Sequence, residues 1–250
     1  MGAYYPGIPE NLAIFLNEKH NAKYFVETGT YIGSTASWAS NFFKKVVTID
    51  ISEELYAQTK KKYKDIQNIQ FLFGNSVDLL TGIITQLNSI LIDDEKILFW
   101  LDAHYSGGIT GGKNIKCPLL KELELILTLN FNSIILIDDA RFILCPSPEK
   151  NTISAMPSYD EVLNVLNFHN KRYTFIWRDI VVSIPFTMAE SVYSFLQPIV
   201  GKQGIFFLDE YIDKFLSNMS FNEYIKALRL GLKRIFRKIL LIFHFLRKKK

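Results

Sequence analysis

The chain has 250 residues, 48% of them hydrophobic and 22% charged. That balance suits one domain with a sizeable core and excludes wholesale disorder and collagen-like repeats. The net charge of +4 hides an asymmetry: residues 224–250 hold ten Lys or Arg and no Asp or Glu, leaving −6 on residues 1–223. Two cysteines, Cys117 and Cys145, make neither a disulfide framework nor a zinc cluster and fit a reducing compartment. The first ten residues have no basic and apolar leader pattern. Near the C-terminus the longest apolar run, residues 239–246, is far shorter than the roughly 18–20 residues that span a bilayer. A cytoplasmic protein is expected.

Taken in chain order, residues 12–19 read as a short helix and 24–26 as a buried strand. A glycine-containing turn then leads to a helix over 34–43. Residues 46–49 form a second strand, 53–63 a second charged-faced helix, 69–73 a third strand and 97–101 a fourth. A helix over 119–129 precedes a fifth strand, 133–137, made almost entirely of Ile and Leu. Pro157 and Ser158 start a helix over 159–166, and 173–177 with 180–184 form a terminal hairpin. Apolar strands without alternation, separated by helices, predict an α/β fold with a doubly wound, mostly parallel sheet buried on both faces. The expected organisation is a domain over 1–185, a connecting segment without clear period over 186–223, and a basic amphipathic C-terminal helix over 224–250.

Polar residues collect where strands end. Glu27, Thr28, Gly29, Thr30, Tyr31, Ile32, Gly33 and Ser34 close the first strand and open a helix. Gly29 would let the backbone approach a ligand, and Gly33 would let helix and strand sit close. The plain alternative is an ordinary strand–helix turn. Asp50 ends the second strand, 23 residues after Glu27, where an acid can accept both hydroxyls of a ribose. Its alternative is an acid ahead of a helix that Ser52 caps. After the third strand, Gly74, Asn75 and Ser76 offer polar groups to an adenine edge. Asp102 and His104 end the fourth strand, and Asp138 and Asp139 the fifth. Carboxylates crowded on one rim call for a compensating cation, and an oxygen-liganded Mg²⁺ is the economical choice. His104 suits a general base near neutral pH. The alternative is a structural hydrogen-bonding residue, and for Asp138–Asp139 a helix cap bridged to Arg141.

In this order the motifs Glu-x-Gly-Thr-x-x-Gly-Ser, the second-strand acid, Leu-Asp-x-His and Ile-Asp-Asp resemble class I S-adenosylmethionine-dependent methyltransferases. More narrowly, they are similar to metal-dependent small-molecule and sugar O-methyltransferases, over about residues 20–185. The resemblance implies a cofactor pocket shaped by Glu27, Gly29, Thr30, Gly33 and Ser34. It also implies ribose contact at Asp50, adenine contact at Asn75 and Ser76, and a further cofactor contact at Asp102. Metal ligands are implied at Asp102, Asp138 and Asp139, with His104 as catalytic base. Tyr31 replaces the middle glycine of the general pattern, Asn75 stands where many relatives have Asp, and His104 where some have an acid.

Four glycines within residues 107–112 suggest a lid or a plain surface loop. In the tail, Ile225, Leu228, Leu232, Ile235, Ile239, Ile242 and Leu246 recur at helical spacing among Lys and Arg. This reads as a helix for an anionic membrane surface, which would make the protein peripheral on the inner face. A helix packed on the domain is the alternative; the acidic body argues against nucleic acid. The expected partner is a small-molecule or glycan acceptor, and a homo-oligomer stays open. Two other readings also stay open: the same fold without methyl transfer, as in a hydroxylase-like relative, and a non-enzymatic nucleotide-binding protein tethered to membrane.

Overall fold

A computed structural model of the chain describes residues 7–103, 117–146, 156–167 and 171–200. His104, the glycines of 107–112 and the basic segment 224–250 lie outside the described residues. The chain divides into two compact units, Met1–Glu190 and Ser191–Lys250. No described helix is long and apolar enough to cross a membrane.

The first unit carries seven strands: β1 (Ala22–Thr28), β2 (Lys45–Asp50), β3 (Ile69–Phe73), β4 (Lys96–Leu101), β5 (Ile134–Ile137), β6 (Arg172–Trp177) and β7 (Ile180–Pro185). They form one sheet in the order β3-β2-β1-β4-β5-β7-β6. The first five strands pair in parallel, while β7 runs antiparallel to β5 and β6. This is the doubly wound, mostly parallel sheet with a terminal hairpin that the apolar runs predict.

Helices α1 (Glu10–His20), α2 (Ser34–Ala39) and α3 (Glu53–Lys62) precede or follow the first two strands and pack against them. Helices α4 (Ser76–Asn88), α5 (Leu119–Leu129) and α7 (Tyr159–Leu166) pack side by side. Leu80, Ile84, Leu123, Ile126 and Val162 from these three join Val26, Phe99 and Ile135 of the strands in one buried cluster. Ser158 and Glu161 form the reciprocal cap that starts α7, as the Pro–Ser signal predicts. Helix α2 stops at Ala39, short of the predicted residue 43.

Three helices go beyond the sequence reading. α4 is thirteen residues long, although Thr81, Gly82, Ile83, Ile84 and Thr85 are poor helix formers. Its Leu80, Ile83, Ile84 and Leu87 are buried at helical spacing, so tertiary packing holds it. The five-residue α6 (Ala140–Leu144) follows β5 directly. In place of an aperiodic segment from residue 186, a short 3₁₀ turn, Phe186–Met188, leads into α8 (Ala189–Val200), which contains Pro198.

A buried arginine fixes the hairpin. Arg172, at the start of β6, donates to Ser183 Oγ at 2.9 Å and to the carbonyls of Phe131, Ser133 and Ser183 at 2.7–2.9 Å. Burial lowers its pKa to about 10, which still leaves it charged at neutral pH. Replacing it strands three carbonyls, two of them on the fully buried Ser133 and Ser183. Arg172→Met is therefore expected to cost about 3 kcal/mol or more in urea unfolding. A loss under about 1 kcal/mol would mean that apolar packing alone holds the hairpin.

Candidate active site at the strand ends

The end of β1 is stitched to both neighbours. Gly29 and Thr30 donate backbone N–H groups to the Ile49 carbonyl of β2, at 2.9 and 3.1 Å. On the other side the Asp102 N–H reaches the Thr28 carbonyl at 3.0 Å. Gly29 has φ +90°, and a Cβ there would lie 2.5 Å from the Asp102 carbonyl oxygen. The backbone of β4 is therefore what requires glycine at this position. Gly33, at φ +74°, faces the ring of Tyr63, 2.7 Å from where a Cβ would stand. It lets α2 and α3 close together, and Ser34 starts α2 immediately after it.

Asp50 is anchored at this edge by two backbone amides, Tyr31 N–H to Oδ2 and Ser52 N–H to Oδ1, both at 2.8 Å. Burial raises its pKa, and the amides of Ser52, Tyr31 and Ile51 work against that rise. Each carboxylate oxygen keeps a second lone pair, so this fixed acceptor suits a vicinal diol. Ser52 also caps α3 through Leu55 N–H, as the alternative reading of this stretch expects.

Two buried carboxyl groups flank the turn. Glu27 accepts from the Thr48 hydroxyl at 2.6 Å, and Thr30 and Thr48 hydroxyls meet at 2.6 Å. Burial raises the Glu27 pKa to about 8, against the Thr48 and Thr35 hydroxyls and with the Asp50 charge. Glu122, in the first turn of α5, is the second and was not expected. Its pKa is pushed up to about 7 by burial, which the Ser76 and Thr28 hydroxyls beside it partly offset. Neither Glu122 Oε1 nor Thr28 Oγ1 has a well-formed hydrogen bond. The signal was available: Glu122 falls on the same helical stripe as Leu119, Leu123 and Ile126.

Ser76 is thus buried beside Glu122, and the Asn75 side-chain Oδ1 caps α4 by accepting from Val77 N–H at 3.0 Å. These contacts account for both residues without an adenine, though the Asn75 amide N–H groups keep their donor capacity. Cys117 precedes α5, and burial pushes its thiol up to about 11, ahead of a small push from Glu122. It stays protonated at neutral pH, as a helix-start residue can.

The three carboxylates expected to hold Mg²⁺ do not form a ligand set. Among the described residues no three His, Cys, Asp or Glu side chains gather as a metal-holding group. Asp138 Oδ1 accepts the Asp139 N–H at 2.8 Å, and Asp139 Oδ1 lies 2.6 Å from Arg141 Nη2. Of the helix-cap and salt-bridge alternative, the salt bridge to Arg141 is observed, while Asp139, at the N-cap of α6, makes no side-chain cap hydrogen bond. Asp102 directly follows β4, beside Gly29. Among the described residues, Asp102, Asp138 and Asp139 do not converge as a group that could hold a divalent ion.

No protein-family model matches the chain, and no curated protein does. Among solved structures, a Staphylococcus aureus protein provisionally described as a caffeoyl-CoA O-methyltransferase aligns at 15% identity, over 74% of this chain and 86% of its own, with a TM-score of 0.49. An O-methyltransferase from Bacillus cereus, in complex with SAH, aligns at 13% identity over 72% and 82%, with a TM-score of 0.48. The sheet order and the antiparallel terminal hairpin give the described chain a doubly wound, Rossmann-like fold.

Proposed function

We propose that the chain is an S-adenosylmethionine-dependent O-methyltransferase acting on a hydroxyl of a small molecule, sugar or glycan precursor. The observation that carries this reading is Asp50, a buried carboxylate held by two amides at the end of β2. An acceptor so fixed, next to a β1 turn stitched on both sides, matches the ribose site of a nucleoside cofactor. When bound, S-adenosylmethionine supplies an electrophilic methyl group. The chain's own part is to bind the ribose at Asp50, to line the pocket with Glu27, Gly29, Thr30, Gly33 and Ser34, and to take up the acceptor's proton. His104, two residues after Asp102, is the proposed proton acceptor on its sequence position. Magnesium has no part in this reading, because Asp139 is already paired with Arg141.

In calorimetry S-adenosylhomocysteine should bind at about micromolar affinity. Asp50→Ala should weaken it at least about tenfold, and His104→Ala should leave it unchanged while lowering turnover. No binding to the wild-type chain would sink the reading.

A pH dependence follows from Glu122. Its folded pKa, about 7, stands above the ordinary value of 4.5, so the folded chain holds the proton more tightly than the unfolded one. This contribution to stability is complete below about pH 4.5 and is lost as pH rises through 7. Glu122→Gln removes it. The variant should gain about 2–3 kcal/mol on the wild type in urea unfolding between pH 4.5 and 8. Parallel pH curves would show that Glu122 ionises freely.

The basic segment 224–250 supports an address at an anionic membrane surface. Vesicles of phosphatidylglycerol and phosphatidylcholine should bind the full chain and release a truncation ending at Asn222. Equal binding of both would remove the address.

A further inference from the structure

Beside the strand-end carboxylates sits a cation that is part of the chain. Arg141, in α6, bridges two acids from distant parts of the sequence. Its Nη2 lies 2.6 Å from Asp139 Oδ1, and its Nη1 pairs with Asp179 Oδ2. Asp179 is buried in the turn between β6 and β7. The remaining Asp179 oxygen accepts the backbone N–H of Arg141 at 2.9 Å, and the Asp179 carbonyl accepts that of Ala140 at 2.8 Å. The same guanidinium stacks over the Phe142 ring, 4.5 Å from its centre. Asp139 reaches this arrangement through a left-handed backbone, φ +58°, uncommon outside glycine.

A Mg²⁺ or Mn²⁺ ion needs carboxylate oxygens turned towards one point at about 2.0–2.1 Å. Here one such oxygen already faces a delocalised charge whose planar fork matches carboxylate geometry. A second cation at Asp139 would meet the guanidinium at close range, where like charges repel strongly. Breaking the pair would release Arg141 from Asp139 and leave it paired with the buried Asp179.

We propose that Arg141, clamped between Asp139 and Asp179, is the resident counter-cation of the β5 end and excludes a divalent ion from it. Arg141 is a positioning residue: it holds Asp139 and joins α6 to the β6–β7 turn. Its consequence for catalysis, methyl transfer independent of divalent metal, rests on the methyltransferase reading; the exclusion itself does not.

The test is uptake of Mn²⁺ by the full chain, read from loss of the free-ion paramagnetic resonance signal. Wild-type chain should take up none below about 1 mM, and Arg141→Gln, which leaves acids without their cation, should bind at least about tenfold more tightly. Equal uptake by the two proteins overturns the proposal. Should Arg141→Gln not fold, the wild type decides alone, and Mn²⁺ uptake tighter than about 1 mM overturns it. S-adenosylhomocysteine affinity, measured on the same wild-type sample with EDTA and with Mn²⁺, should be the same in both. If that ligand fails to bind at all, the methyltransferase reading falls while the Mn²⁺ result stands. If it binds only with Mn²⁺, the exclusion is wrong.

Discussion

At the end of β1 the chain has no room for a side chain. Gly29 passes so near the Asp102 carbonyl that a Cβ would sit 2.5 Å from it. The same turn is hydrogen-bonded to β2 on its other side. Three strand ends are therefore locked at fixed separations by backbone contacts alone. Asp50 owes its orientation to this lock, because one of the two amides that hold it belongs to Tyr31, inside the turn. The polar edge of the sheet is thus held by the chain's own backbone contacts, the preorganisation that a binding site on strand ends requires.

The lock also decides where charge is tolerated. Successive residues of a strand point to opposite faces, so Glu27 and Thr28 look into different layers. Glu27 meets Thr48, and Thr28 lies beside Glu122. Glu27 and Glu122 thus put a buried carboxyl with a raised pKa in both layers near this edge, in addition to Asp50. Such groups cost stability and persist most often where chemistry uses them.

The sheet was readable because its strands are buried on both faces and so appear as unbroken apolar runs. β3, α5 and α7 keep the bounds that these runs suggest. α4 was hidden by β-branched residues and Gly82, whose weak propensity is overridden by packing. At the site, the strand-end acids were visible as sequence motifs, but their partners were not. Nothing in the hairpin run Trp177, Arg178, Asp179, Ile180 distinguishes a turn acid from one that holds Arg141. Glu122 was concealed differently, between Lys121 and Glu124 on what looks like a solvated helix turn. Only its place on the apolar stripe betrayed it.

The partnership of Arg141 and Asp179 spans 38 residues of chain, and this has a consequence for how the molecule is made. During synthesis from the N-terminus, β1 to β5 emerge with Asp139 and Arg141 already present. Asp179 arrives later, on a hairpin that Arg172 anchors at its opposite end. Until that hairpin docks, the sheet lacks β7 beside β5 and Arg141 lacks its buried acid. The β5 edge of the sheet is therefore completed by a segment made after all five parallel strands.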